Sequence, residues 1–254
     1  MKILSITAQK PNSTGSGVYL TELVRQFARD GHEQAVVAGV YEEDRIELPE
    51  GVGFFPVLFE SRELPYPIVG MSDEMPYRST RYCDMTREMT RQFQDAFLKA
   101  IEKAVDALEP DLILCHHLYL LTAMAREQFK EQKIYGFCHN TDLRQMKKTG
   151  LWRDYIREQI RGLDAIFVPQ SAQKEGVMEI FGIGAGKIRI LGMGYSQEIF
   201  CGPEKPDNAA RGKDGAIRLI YAGKIAEKKG VKSLIKSLSY LPYPRDGPVS
   251  YTHL

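Results

Sequence analysis

Short apolar runs alternate with helix-period segments along most of this chain. Strand-like runs fall at residues 2–7, 34–40, 52–59, 111–116, 133–138, 164–168 and 187–191. They are apolar at successive positions rather than alternating. That pattern belongs to strands buried on both faces, as in a parallel sheet. Between them, Leu20, Leu23, Val24 and Phe27 recur at i, i+3, i+4, i+7, and Gly31 supplies a stop. A longer helix is predicted through Met85, Met89, Phe93, Phe97, Ile101 and Val105. Further helices are predicted over 118–130, 152–161 and 171–181. Strands alternating with helices predict right-handed βαβ units and a doubly wound α/β sheet of Rossmann-like type.

Two stretches break the rhythm. Residues 61–80 hold Pro65, Pro67, Pro76 and Gly70, and read as a long surface loop. Within 66–82, Met71, Met75, Arg78 and Arg81 are candidates for contact with an acceptor or a membrane. Residues 201–215 hold Gly202, Pro203, Pro206, Gly212 and Gly215 among charges, which is linker composition. The pattern then restarts, with a strand at 217–221 and an apolar helix stripe at Val231, Leu234, Ile235 and Leu238. The expected organisation is a domain over 1–200, a linker over 201–215, and the start of a second α/β domain over 216–247. The last residues, Pro248 to Leu254, resemble the translation of a transposase mosaic-end adapter. Residues 248–254 are therefore expected to be a non-native tail, excluded from fold reasoning.

Composition narrows the function classes. The 254 residues are 43% hydrophobic and 26% charged, enough to bury a core. Lys+Arg 34 against Asp+Glu 33 gives a net charge of +1, so no global field favours nucleic acid, and any anion site must be local. Cys83, Cys115, Cys138 and Cys201 have no C-x-x-C spacing and read as reduced thiols in a cytoplasmic protein. No apolar run approaches the ~20 residues of a membrane span, which leaves only peripheral contact at the inner face of a membrane.

Three places could carry chemistry. After the first strand, Pro11-Asn12-Ser13-Thr14-Gly15-Ser16-Gly17 leads into a helix, whose free N–H groups suit an anion. The G-x-G-x-x-G dinucleotide fingerprint is missing, since Leu20 stands three after Gly17, and no Gly-Lys-Ser/Thr follows. An oxidoreductase is disfavoured on that ground. Histidines end two strands: His116 and His117 after 111–115, and His139 before Asn140-Thr141-Asp142. Ligands of open α/β sheets sit at such strand ends. A metal is not expected, because vicinal ligands on a strand diverge to opposite faces. Either of His116 and His117 also reads as a satisfied structural histidine, and His139 is the better functional candidate. Lastly, Gly223-Lys224 and Lys229-Gly230 set cations between a strand and a helix, where an anion could be stabilised without a metal. Arg153, Arg157 and Arg161 form an i, i+4 stripe, which reads as a solvated helix face.

These motifs together resemble a GT-B glycosyltransferase of the large retaining group 1 class, family 4. The first strand with its glycine loop resembles that family's opening. Asp111-Leu112-Ile113-Leu114-Cys115-His116 and Phe137-Cys138-His139 resemble its strand ends. Residues 167–171, 187–194 and 199–200 resemble the run into its linker. Gly223-Lys224 through Lys229-Gly230 resembles its G-R-x4-K-G motif, with Lys224 at the arginine position and without arginine's bidentate fork. Met193-Gly194-Tyr195-Ser196 stands where the family has Asn-Gly-Val-Asp. The family's E-x7-E motif has no counterpart, which implies a C-terminally truncated copy.

The resemblance implies transfer of a sugar from a nucleotide-diphosphate sugar to a hydroxyl acceptor (glycan, lipid or small molecule), with no cofactor. It implies His139 as the catalytic position, with Gly15, Gly17, Lys224 and Lys229 on the donor diphosphate. His116, Asn140 and Asp142 would touch the acceptor. Two other classes remain open at this point: a nucleotide-sugar epimerase on the same fold, and a non-catalytic nucleotide- or partner-binding module.

Overall fold

The structure is a computed structural model that describes residues 1–196, 199–201, 221–223 and 227–240. It divides into two compact units, Met1–Gly194 and Tyr195–Leu254. The expected strand at 217–221, save Tyr221, the linker over 201–215, save Cys201, the tail at 248–254 and Lys224 lie outside the described residues.

In chain order the strands of the first unit are β1 (Lys2–Thr7), β2 (Glu33–Val40), β3 (Gly53–Leu58), β4 (Val69–Gly70), β5 (Thr80–Arg81), β6 (Leu112–His116), β7 (Ile134–Phe137), β8 (Ala165–Val168) and β9 (Ile188–Ile190). The two short strands β4 and β5 pair with each other. The other seven form one sheet in the order β3-β2-β1-β6-β7-β8-β9, and every neighbouring pair is parallel. Each apolar run before residue 194 has become a strand of this sheet. The chain winds outward from β1 to β3, then returns to β6 on the other side of β1. That reversal opens a crevice at the carboxyl ends of β1 and β6.

Alternate residues of the central strands enter different cores, which is why the runs are apolar throughout. Leu4, Ile6 and Val37 join the main core with Phe93, Phe97 and Ile101 of α2 (Arg87–Leu108). Ile3 packs with Leu112 and Leu114, against Tyr19, Leu23 and Phe27 of α1 (Gly15–Arg29). Leu20 and Val24 of α1 meet Val36 and Ala38. Both helices begin at threonine caps: Thr14 accepts from the Gly17 N–H, and Thr86 from the Met89 N–H. Along the first unit follow α3 (Leu120–Gln128), α4 (Thr141–Lys148), α5 (Arg153–Arg161) and α6 (Ser171–Phe181). The sequence pattern anticipated all of these except α4, whose short, mostly polar sequence shows only Leu143 and Met146 as an apolar face.

The segment 61–80 departs from the surface-loop expectation. Leu64, Ile68, Val69 and Met71 are buried in the main core. The Tyr41 hydroxyl donates to the Arg78 carbonyl and accepts from the Ile68 N–H, and the Gln145 amide donates to the Met71 carbonyl. Its prolines end regular structure, but its apolar residues still have a core to join.

The arginine stripe also differs from its expectation. Arg157 and Arg161 donate to the carbonyls of Ile180 and Phe181 at the end of α6. Arg153 donates to the Lys147 and Thr149 carbonyls at the end of α4. Cations there satisfy orphan carbonyls and oppose the negative end of the helix dipole. In the second unit, a 3₁₀ turn at Glu227–Lys229 precedes α7 (Val231–Ser237), the helix expected after the lysine turn.

Candidate active site

Three turns meet beside the crevice between β1 and β6: the glycine loop and the turns after β6 and β7. The glycine loop enters α1 there. Gly17 is buried, and a Cβ on it would lie 2.6 Å from the Lys10 carbonyl oxygen, so the loop closes only with glycine at this position. Gly15 is exposed with open space around it, at the positive end of the α1 dipole.

β6 delivers His116 and then His117. His117 takes a left-handed conformation, φ 75°, which turns the chain sharply into α3. β7 delivers His139, followed by Asn140 at φ 67°, a conformation asparagine tolerates better than most residues. Gly136 makes the turns compatible. A side chain on it would meet Leu118 at 2.5 Å and Leu163 at 2.9 Å.

The three imidazoles are in contact. His116 Nδ1 lies 3.3 Å from His139 Nε2, and the rings are near parallel at 5.5 Å. His117 and His139 ring centroids are 4.8 Å apart. His116 also stacks on Phe137 at 4.9 Å, and Tyr19 of α1 sets its ring edge-on to His139 at 5.5 Å. His117 ties two turns together: Nε2 lies 3.0 Å from the Ser16 hydroxyl and Nδ1 3.4 Å from that of Thr141. His116 and His117 are buried, while His139 is half-buried and lines a shallow pocket with Tyr19, Phe137, Pro169 and Met193.

Burial is the main influence on their protonation. It pushes His116 and His117 well below the ordinary histidine value, and the neighbouring imidazoles push the same way. His139 is also lowered by burial, with Asp142 partly opposing. All three are therefore neutral at pH 7. A neutral His139 can donate or accept one hydrogen bond at a substrate hydroxyl without placing a second positive charge in the crevice.

The structure brings together Gly15, Gly17, His116, His139, Asn140 and Asp142 of the residues singled out from sequence. Asn140 is exposed beside His139. Asp142 is fully buried and faces inward, its oxygens taken by backbone N–H groups. Lys229 is an exposed residue of the second unit. Ser16, Tyr19 and Thr141 were not expected at the site. Ser16 and Tyr19 lie three apart at the start of α1, so helical spacing from the glycine loop could have put both on one face.

The sequence that builds this site can be compared with known families. The model of Glycosyltransferase Family 4 matches residues 13–198, most of the chain. The chain belongs to glycosyltransferase family 4. No curated protein matches it by sequence. Among solved structures, a sucrose-phosphate synthase from Thermosynechococcus elongatus is similar at TM-score 0.61 and 16% identity, over 95% of this chain and 60% of that one. The catalytic domain of starch synthase IV from Arabidopsis thaliana, bound to ADP and acarbose, is similar at TM-score 0.51 and 14% identity, over 78% of this chain and 52% of that one. At such identity these likenesses show the GT-B fold. The family 4 chain thus spans 60% of the length of that synthase. No helix among its described residues is long and apolar enough to cross a membrane.

Proposed function

We propose that this chain supplies the acceptor-side domain and the start of the donor-side domain of a retaining glycosyltransferase. The enzyme moves a sugar from a nucleotide-diphosphate sugar to a hydroxyl acceptor, with no metal or other cofactor. The observation that carries the reading is the place of His139. It follows β7, the strand beside β6, and its ring meets Tyr19 of α1, the helix whose N-terminus and glycine loop suit a diphosphate. A departing nucleoside diphosphate gains negative charge, and helix N–H groups together with lysines would stabilise that charge more than the ground state. In this reading Gly15 and Gly17 give the diphosphate access to the backbone, Lys224 and Lys229 neutralise it, and His139 hydrogen-bonds a hydroxyl of the reacting sugar or acceptor. Asn140, exposed beside His139, is placed for acceptor contact. Apolar surface near the pocket at Leu191 and Met193 would accept the less polar part of an acceptor, and peripheral membrane contact fits such an acceptor.

The test is steady-state kinetics on a chain carrying a full second domain. His139→Ala is expected to lower turnover by roughly two orders of magnitude with unchanged unfolding temperature. Lys224→Ala and Lys229→Ala should each cost about 2–4 kcal/mol of transition-state stabilisation, and Lys228→Ala little. Near-normal turnover for His139→Ala would remove its chemical role. Silence of all three lysine variants would place the diphosphate elsewhere and sink the donor reading.

A further inference from the structure

Asp142 is a fully buried acid, and no cation pairs with it among the described residues. A carboxylate in such a place is costly unless hydrogen bonds compensate it. Its partners come from two different turns. Oδ2 accepts from the Leu118 N–H at 2.9 Å and the His139 N–H at 3.2 Å. Oδ1 accepts from its neighbour Leu143 at 3.2 Å, with the Cys138 thiol 3.5 Å away. The cap position of α4 is Asn140, so Asp142 is not needed as its cap. An asparagine at 142 could turn its amide oxygen to both turns, but its NH2 would then face the Leu143 N–H, donor against donor.

Each of those turns carries a non-glycine residue at positive φ, as do four other described positions. His117, next to Leu118, has φ 75°, and Asn140, next to His139, has φ 67°. Non-glycine residues hold such conformations only when their surroundings enforce them. The same turns carry the imidazoles whose nitrogens meet at 3.3 Å. We propose that Asp142 is a positioning residue: by clamping the turns after β6 and β7 to one carboxylate oxygen, it sets His139 against His116 and His117. This rests on the glycosyl-transfer reading for what the placement serves, and on geometry alone for the placement itself. The Asp142 carboxylate also opposes the effect of burial on His139.

Two measurements decide it. The first is a double-mutant cycle on turnover, in a chain carrying a full second domain. Asp142→Asn is expected to lower kcat by about tenfold to a hundredfold, the scale of a small misplacement of a reacting group. It should leave KM near its original value. In a His139→Ala background it should cost almost nothing more, because the residue acts through His139. An equal loss in both backgrounds means a general structural role and overturns the proposal.

The second measurement needs no substrate. Histidine-ring NMR on the 254-residue chain should show the His116 and His139 rings moved apart in Asp142→Asn, and His139 titrating at lower pH. Rings still stacked as in the original chain overturn the proposal whatever the kinetics show. If His139→Ala alone is silent, the chemical reading of His139 fails, and the ring spectra still decide the placement. Asp142→Ser serves if Asp142→Asn does not fold, since its shorter side chain cannot reach both turns. It should show the same separation of the rings, and original ring spectra and turnover in that variant would overturn the proposal.

Discussion

At the scale of single residues, the decisive fact is that three histidines share one crevice while staying neutral. Burial lowers all three, so the unfolded chain takes up protons below about pH 6.5 that the folded chain refuses. The unfolded state then binds more protons, and stability must fall as pH falls. The stabilising contribution is whole above the unfolded value and drains away as pH drops toward the folded ones. Thermal unfolding of the chain between pH 7 and pH 5 should show this decline, at most about 1.4 kcal/mol per pH unit for each histidine. His117→Asn should flatten the curve. A profile flat to pH 5 in the original chain would mean that these rings are hydrated or charged. The positions of the histidines were legible in the sequence, because a histidine after a run of apolar residues ends a buried strand. Their mutual contact was not, because His116 and His139 are far apart in the chain and meet only through the β6–β7 pairing.

Elements explain why the site holds its shape. The α1 loop shows it best. Gly15 and Gly17 look equivalent in sequence, and both suit an anion-binding turn. The structure separates them, since only Gly17 is pressed against the Lys10 carbonyl. Gly17→Ala should therefore destabilise the chain by about 1–3 kcal/mol, the usual cost of forcing an atom into packed space. Gly15→Ala should leave the unfolding temperature nearly unchanged and instead weaken any ligand that approaches the loop. Chemical denaturation of the two variants checks this, and equal losses would show that the loop is not packed as described. The arginine stripe gives a second lesson. Spacing on α5 was visible in the sequence, but spacing cannot show that another helix ends beside it. Only packing places the ends of α6 and α4 under Arg157, Arg161 and Arg153.

For the whole molecule, the first unit contains the seven-stranded sheet and the three cores found among the described residues. A chain cut to residues 1–194 should therefore unfold cooperatively, with a midpoint within several degrees of the 254-residue chain. Loss of cooperative unfolding would show that the first unit depends on the second. Sugar transfer is another matter. In the proposed reading the donor is gripped largely by a second domain, so the 254-residue chain should show no transfer comparable with a chain carrying that domain in full. Comparable turnover by the shorter chain would overturn the two-domain picture of the site.

The sequence by itself determined the seven strands of the main sheet, most of the helices of the first unit and the doubly wound class. Those follow from local periodicity and from the burial of both sheet faces, which residue types record directly. It also marked the strand-end histidines that the structure gathers at one crevice. It did not determine that residues 61–80 pack down, because prolines hid apolar side chains whose partners lie on α2 and α4. Nor did it reveal what Asp142 does. An acid three residues after a strand-end histidine looks available to a ligand in one dimension. Only the tertiary structure buries it and aims it at backbone N–H groups from two turns. Hydrogen bonds and strain between segments distant in the chain exist only once the sheet has set their register.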